Sequence, residues 1–152
     1  MPDPIELRAA QASDQKVIRR MVRQARINPF GLKWPNFLVC EMDGRVVGIG
    51  QVKSHGDGSR ELASIAVHPD CRRLGIATAI IEALLAGEEG ILYLTCRRQM
   101  ESFYQPFGFQ QVTGSELSGT MARLDRLNQW FGRIASLFTS KPLSGIIMRR
   151  ES

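Results

Sequence analysis

The stretch from Glu61 to Gly87 constrains this chain more than any other. Its β-branched and small apolar residues run to Pro69, which has no N–H to give to a ladder and so closes a strand. Ile76, Ile80, Ile81, Leu84 and Leu85 then recur at helical spacing, and Gly87 stands where a helix cap is expected. Between strand and helix lies Cys71-Arg72-Arg73-Leu74-Gly75-Ile76-Ala77. A turn of this kind brings successive backbone N–H groups to the first turn of a helix, where unpaired donors and the helix dipole attract phosphate. Gly75 permits close approach of a ligand to the main chain, and Arg72 and Arg73 add positive charge.

The rest of the composition is compatible with a polyanionic ligand but does not single one out. A net charge of +5 suits several anionic partners, nucleic acid and an anionic membrane among them. The length of 152 residues and 43% hydrophobic content match one domain with one sizeable core. Cys40, Cys71 and Cys96 are odd in number and lack metal-ligand spacing, so neither a disulfide framework nor a metal site is expected. Reduced thiols point to a cytoplasmic setting. Asp3 and Glu6 precede any apolar run, against a secretory signal, and no run approaches a membrane span.

In chain order, Ile5, Leu7 and Ala9 alternate as a first strand. Ser13 and Asp14 are placed to cap a helix whose apolar stripe is Val17, Ile18, Met21, Val22 and Ala25. Its other face carries Lys16, Arg19, Arg20, Arg23 and Arg26, read as a solvated basic surface or, alternatively, one that meets an anionic substrate, nucleic acid or lipid. Pro29, Gly31 and Pro35 make Asn28 to Asn36 an irregular connection. Strands Phe37 to Met42 and Arg45 to Lys53 are joined by Asp43-Gly44, a hairpin signal because the turn needs positive φ. After the helix, Ile91 to Thr95 is a strand, returning beside the Glu61 strand by a right-handed crossover. A short helix through Tyr104 breaks at Pro106, and a strand runs from Phe107 to Val112. Met121, Leu124, Leu127, Trp130, Phe131, Ile134, Leu137 and Phe138 form an amphipathic stripe, and Gly145 to Arg149 a last strand.

Arg72-x-x-Gly75-x-Ala77 after a Val-His-Pro-Asp strand end resembles the acyl-CoA pyrophosphate loop of the GNAT superfamily of N-acetyltransferases. Tyr104, three residues, then Gly108-Phe109 resembles a second motif of that family, in the required order. The resemblance runs from about Ile5 to Val112 and over the last strand, but not from about Ser115 to Leu143. It implies an α/β (α+β) fold: a mixed, mostly antiparallel twisted sheet of six to seven strands flanked by helices. One domain would span 1–152, with a helical insertion at about 118–140 where the family has a tight turn.

The resemblance also implies acetyl-CoA as cosubstrate, held by Ile65, Ala66 and Val67, by Arg72, Arg73, Leu74, Gly75, Ile76 and Ala77, and by Tyr104. The pantetheine arm would pair as a pseudo-strand where the sheet splays beside the Glu61 strand. A bulge in that strand would free an N–H near Ile65 or Ala66 for the thioester oxygen. Glu61 is the general-base candidate for an amine acceptor and Tyr104 the acid for the leaving thiolate; the plainer alternatives are a solvated or Arg60-paired glutamate and a structural tyrosine. Phe30 and Trp34 flank the acceptor side, or simply pack on the sheet. Arg97 replaces the Asn that many members use on pantetheine.

Covalent catalysis is disfavoured, since neither His55 nor His68 is spaced to pair with a cysteine. Direct transfer in a ternary complex is the expected chemistry, with a non-catalytic acyl-CoA-binding domain of the same fold as the alternative. No nucleic-acid partner is expected. Peripheral membrane contact through the inserted helix, and monomer against homodimer, stay open.

Overall fold

The structure, a computed structural model, describes residues 4–114, 117, 119–135 and 145–152, with backbone alone over 128–135. Its strands are β1 (Ile5–Ala9), β2 (Phe37–Met42), β3 (Arg45–Ser54), β4 (Arg60–Val67), β5 (Ile91–Arg97), β6 (Gln110–Val112) and β7 (Gly145–Glu151). Its helices are α1 (Gln15–Ala25), α2 (Ile76–Ala86), α3 (Glu101–Tyr104) and α4 (Gly119–Ala135). The strands form a seven-stranded sheet in the order β1-β2-β3-β4-β5-β7-β6. By internal contact the chain divides into two compact units, Met1–Lys53 with Leu62–Glu88 and Ser54–Glu61 with Glu89–Ser152.

In the first unit, β1 and β3 both pair antiparallel with β2. Asp43 and Gly44 adopt φ of 52° and 71°, the doubly left-handed turn that a two-residue hairpin requires. A register shift at Cys40/Glu41 changes side-chain parity, so Ile49 joins one apolar cluster and Val47 another. The first cluster seats Ile18, Met21 and Val22 of α1 against Phe37, Val39 and Ala66. The second seats Ile76 and Ile80 of α2 against Cys40 and Val47.

Helix α2 lies close on β3 because two strand positions have no side chain. A Cβ at Gly48 would fall 2.6 Å from Ile76 Cγ2, and one at Gly50 2.7 Å from both Ile65 Cδ1 and Ile80 Cγ2. Glycine in a strand interior commonly marks such an approach.

Asp14 stands at the N-cap position of α1, as expected, but without a side-chain cap bond to the helix. Residues Ala12–Asp14 form a 3₁₀ turn, and the Asp14 carboxylate accepts from Gln11 N–H at 2.7 Å instead of capping the helix. It also accepts from Arg8 Nη1 at 2.7 Å and Nη2 at 3.1 Å, while Arg8 Nε donates to Glu41. A two-pronged guanidinium contact satisfies a buried carboxylate better than one helical N–H does.

In the second unit, β5 and β6 both pair antiparallel with β7. The strand expected from Phe107 begins at Gln110, because Pro106 starts a 3₁₀ turn over Gln105–Phe107 and Gly108 leaves it at φ 93°. The last strand extends to Glu151, beyond the expected Arg149. Helix α4 falls within the stretch of about 118–140 where a helix is expected. Met121 is buried with Leu117, Val112 and Ile147, Leu124 packs at the edge of that cluster, and Leu127 is exposed. The side chains of Trp130, Phe131, Ile134, Leu137 and Phe138 lie outside the described residues.

Candidate active site

In the first unit, the unusual backbone is inside β4. Ser64 sits at φ 59°, a left-handed conformation that a non-glycine residue adopts at a cost of about 1–2 kcal/mol. Such a residue breaks the alternation of a strand, and Glu61 and Leu62 are consecutive buried positions ahead of it. Gln51 holds Ser64 there, its Nε2 donating to Ser64 Oγ at 2.9 Å and to Gly31 O at 3.3 Å. Gln51 is fully buried, and its Oε1 has no partner among the described residues. Downstream of Ser64, Ile65 and Val67 are half-buried and Ala66 is buried.

The turn after β4 is exposed from Arg72 through Gly75. Arg73 at φ 65° and Gly75 at φ 76° reverse the chain twice before α2, which begins at Ile76. Ala79 N–H donates to Gly75 O at 3.0 Å, so the N–H groups of Ile76, Ala77 and Thr78 precede the first intrahelical partner. A Cβ at Gly75 would meet no atom of the described residues within 4 Å, room for a ligand over the main chain. His68 is structural: its Nδ1 accepts from Asp70 N–H at 3.2 Å, and its own N–H donates to Val47 O.

The loop after α1 is tied down at several points. Gln15 Nε2 donates to Leu32 O at 2.7 Å, its Oε1 accepts from Trp34 N–H at 3.0 Å, and Lys53 Nζ donates to Phe30 O at 2.8 Å. The two aromatic candidates differ in environment. Trp34 packs against the α1 cluster, whereas the Phe30 side chain is 76% exposed.

In the second unit, Glu61 is 6% exposed, which excludes a solvated edge residue. Its Oε1 lies 3.0 Å from His55 Nε2, a contact that sequence reasoning missed. The two residues stand on either side of the β3–β4 turn, and no fixed helix or strand period spans that separation. Tyr104 ends α3 with its ring edge-on to Phe103 and Phe109. Burial, with Cys96 nearby, pushes the phenol up to about 12, so it carries its proton at neutral pH.

Cys40 and Cys96 are poor nucleophiles. Burial, with Glu101 close by, pushes Cys96 up to about 11, and burial beside Cys71 raises Cys40. Among the described residues no cluster could hold a metal ion, and no helix is long and apolar enough to cross a membrane.

Comparison with known proteins gives the family and the fold. A family model described as an acetyltransferase (GNAT) domain matches residues 33–111. An uncharacterized N-acetyltransferase, MJ1530 of Methanocaldococcus jannaschii, is 35% identical over 80 residues, 52% of this chain and 51% of its own. The chain thus spans about half the length of that relative.

Among solved structures, N-acetylglutamate synthase from Neisseria gonorrhoeae with coenzyme A and N-acetyl-glutamate superposes with a TM-score of 0.75. It has 18% identity, over 99% of this chain and 35% of that one. Rv2747 from Mycobacterium tuberculosis, in complex with CoA and NLQ, gives 0.71 at 19% identity, over 97% and 99%. These likenesses establish the fold, and the family match extends over half of the sequence. The chain belongs to the GNAT family of acetyltransferase domains.

Proposed function

We propose that the protein is an N-acetyltransferase that moves an acetyl group from acetyl-CoA to a primary amine by direct attack in a ternary complex. The observation that carries this reading is the backbone from Ser64 to Ile76: a left-handed residue inside β4, then an exposed basic turn reversing at Arg73 and Gly75 into α2. The N–H groups leading into Ile76 and Ala77 would take the pyrophosphate, with Arg72 and Arg73 adding charge and Leu74 lining its path. The β4 backbone at Ile65, Ala66 and Val67 would pair with the pantetheine arm. A freed N–H there would stabilise the oxyanion, a contact worth about 10²–10³ in rate elsewhere.

In the transfer itself, the amine nitrogen forms its bond to the thioester carbonyl carbon while Glu61 accepts the amine proton. The tetrahedral intermediate then collapses with cleavage of the C–S bond, and the Tyr104 hydroxyl protonates the departing thiolate. Tyr104 carries its proton at neutral pH and can donate it. The raised thiols of Cys40 and Cys96 favour direct transfer over an acyl-enzyme. Phe30, exposed on a loop held by hydrogen bonds, would contact the acceptor, while Trp34 would fix the loop's base.

Labelled acetyl-CoA incubated with a panel of amines, alongside calorimetric titration with CoA, tests the proposal. Gly75→Glu should abolish CoA binding by placing bulk and negative charge over the turn. CoA binding without transfer to any amine would instead indicate a ligand-sensing domain of the same fold, and absence of CoA binding would overturn both.

A further inference from the structure

The proposed transfer leaves one feature unused, the imidazole set against the buried carboxylate of Glu61. We propose that His55 is the positioning residue for Glu61. It donates Nε2–H to Oε1, so that the other carboxylate oxygen, Oε2, is the one turned to the amine proton. This inference rests on the role proposed above for Glu61.

The geometry favours a built arrangement over a chance contact. His55 Nε2 stands 3.0 Å from Oε1, and the two side chains are 20% and 8% exposed. The backbone under His55 is fixed on both sides, since His55 N–H donates to Ser59 O at 2.9 Å and His55 O accepts from Gly58 N–H at 3.0 Å. Gly58 completes that turn at φ 86°.

The turn is held in place by Asp57. Its carboxylate accepts from Ser59 N–H at 3.0 Å, Ser59 Oγ at 2.6 Å and Thr120 N–H, in the first turn of α4, at 2.8 Å. The inserted helix thereby braces the hairpin that presents the imidazole. Arg60, the adjacent cation, donates to Ser54 Oγ.

A buried carboxylate with one fixed donor keeps a single orientation, and a general base works only within hydrogen-bond reach of its proton. The chemistry requires of His55 a donor but no proton transfer. The proton leaves the amine nitrogen and an O–H bond forms at Glu61, while His55 keeps its Nε2–H throughout. Glutamine offers an Nε2–H at similar reach, so His55→Gln should restore what His55→Ala loses.

The test is a kinetic cycle of wild type, His55→Ala, Glu61→Gln and the double variant on an amine that the wild type acetylates, with His55→Gln beside it. His55→Ala should lower kcat about 10- to 100-fold. The amine KM and the CoA Kd should stay within about threefold, and His55→Gln should recover most of the rate. In the Glu61→Gln background the His55→Ala change should cost almost nothing, because two residues acting as one unit are not additive. Equal losses in both backgrounds, or wild-type kcat in His55→Ala, overturn the inference while leaving the acetyltransferase proposal standing. Failure of the wild type to acetylate any amine overturns the catalytic reading itself. A downfield imidazole N–H proton resonance, lost in Glu61→Ala, checks the pair without turnover, and its absence from the wild type would refute the contact.

Discussion

Replacing Arg8 with methionine keeps most of the apolar stem and removes the guanidinium from Asp14 and Glu41. The Asp14 side chain is 8% exposed and would keep only the Gln11 N–H as a described donor. Breaking one side of a buried ion pair costs about 3–5 kcal/mol, because the other charge stays buried and uncompensated. The Arg8 side chain is 24% exposed, and one hydrogen bond to Asp14 survives, so the expected loss is about 2–3 kcal/mol at pH 7. For a chain of this size that lowers Tm by roughly 5–10 °C.

The sign with pH follows from Asp14, whose carboxyl Arg8 holds below the usual carboxylate range. A group with a depressed folded-state pKa contributes stability above its unfolded pKa of about 3.9 and loses it as pH falls through the folded value. In the Arg8→Met variant the carboxylate, left without its cation, escapes its penalty by taking up a proton. The difference between the two proteins should therefore be full at pH 6–7 and shrink towards pH 3. Urea denaturation at several pH values measures it. A loss below about 0.5 kcal/mol at pH 7, or one that does not change with pH, would refute the reasoning.

Gly50→Val should destabilise by at least about 2–3 kcal/mol, because its branched side chain meets Ile65 and Ile80 in a packed layer; urea midpoints measure it, and loss of CoA affinity should accompany it. Tyr104→Phe should lower kcat about 10- to 100-fold and spare CoA affinity, and it should remove an ultraviolet phenolate step near pH 12; unchanged turnover would remove Tyr104 from the reaction. Cys96 should react slowly with a disulfide reagent at pH 8 in the native protein and rapidly in denaturant, because burial keeps the thiol protonated.

What the sequence disclosed depended on how local its cause was. The Asp43-Gly44 hairpin, the α1 stripe and the Arg72 to Ala77 turn are each set by neighbours in the chain, and their residues name the conformation. The strand beginning at Gln110 was misplaced because Pro106 and Gly108 act together to delay it by a 3₁₀ turn. The Ser64 irregularity could be anticipated only through family resemblance, since serine has no preference for positive φ; its cause is the Gln51 side chain on the neighbouring part of the fold.

The contact between His55 and Glu61 was invisible for a related reason. It depends on the path of the loop between β3 and β4, which hydrophobic periodicity does not encode. One signal was available and unread: Gly48 and Gly50, two positions apart in a strand, announce that something approaches that face.

Ser64 shows how two demands on one position limit its replacement. Glycine there would relax the main chain and gain roughly 1 kcal/mol, yet it would discard the hydroxyl that anchors Gln51. Losing that partner would cost the buried Gln51 amide about 1–3 kcal/mol, which cancels or exceeds the backbone gain, so a stability screen would not favour glycine here. Ser64 is thus kept in a conformation better suited to glycine by what its hydroxyl holds.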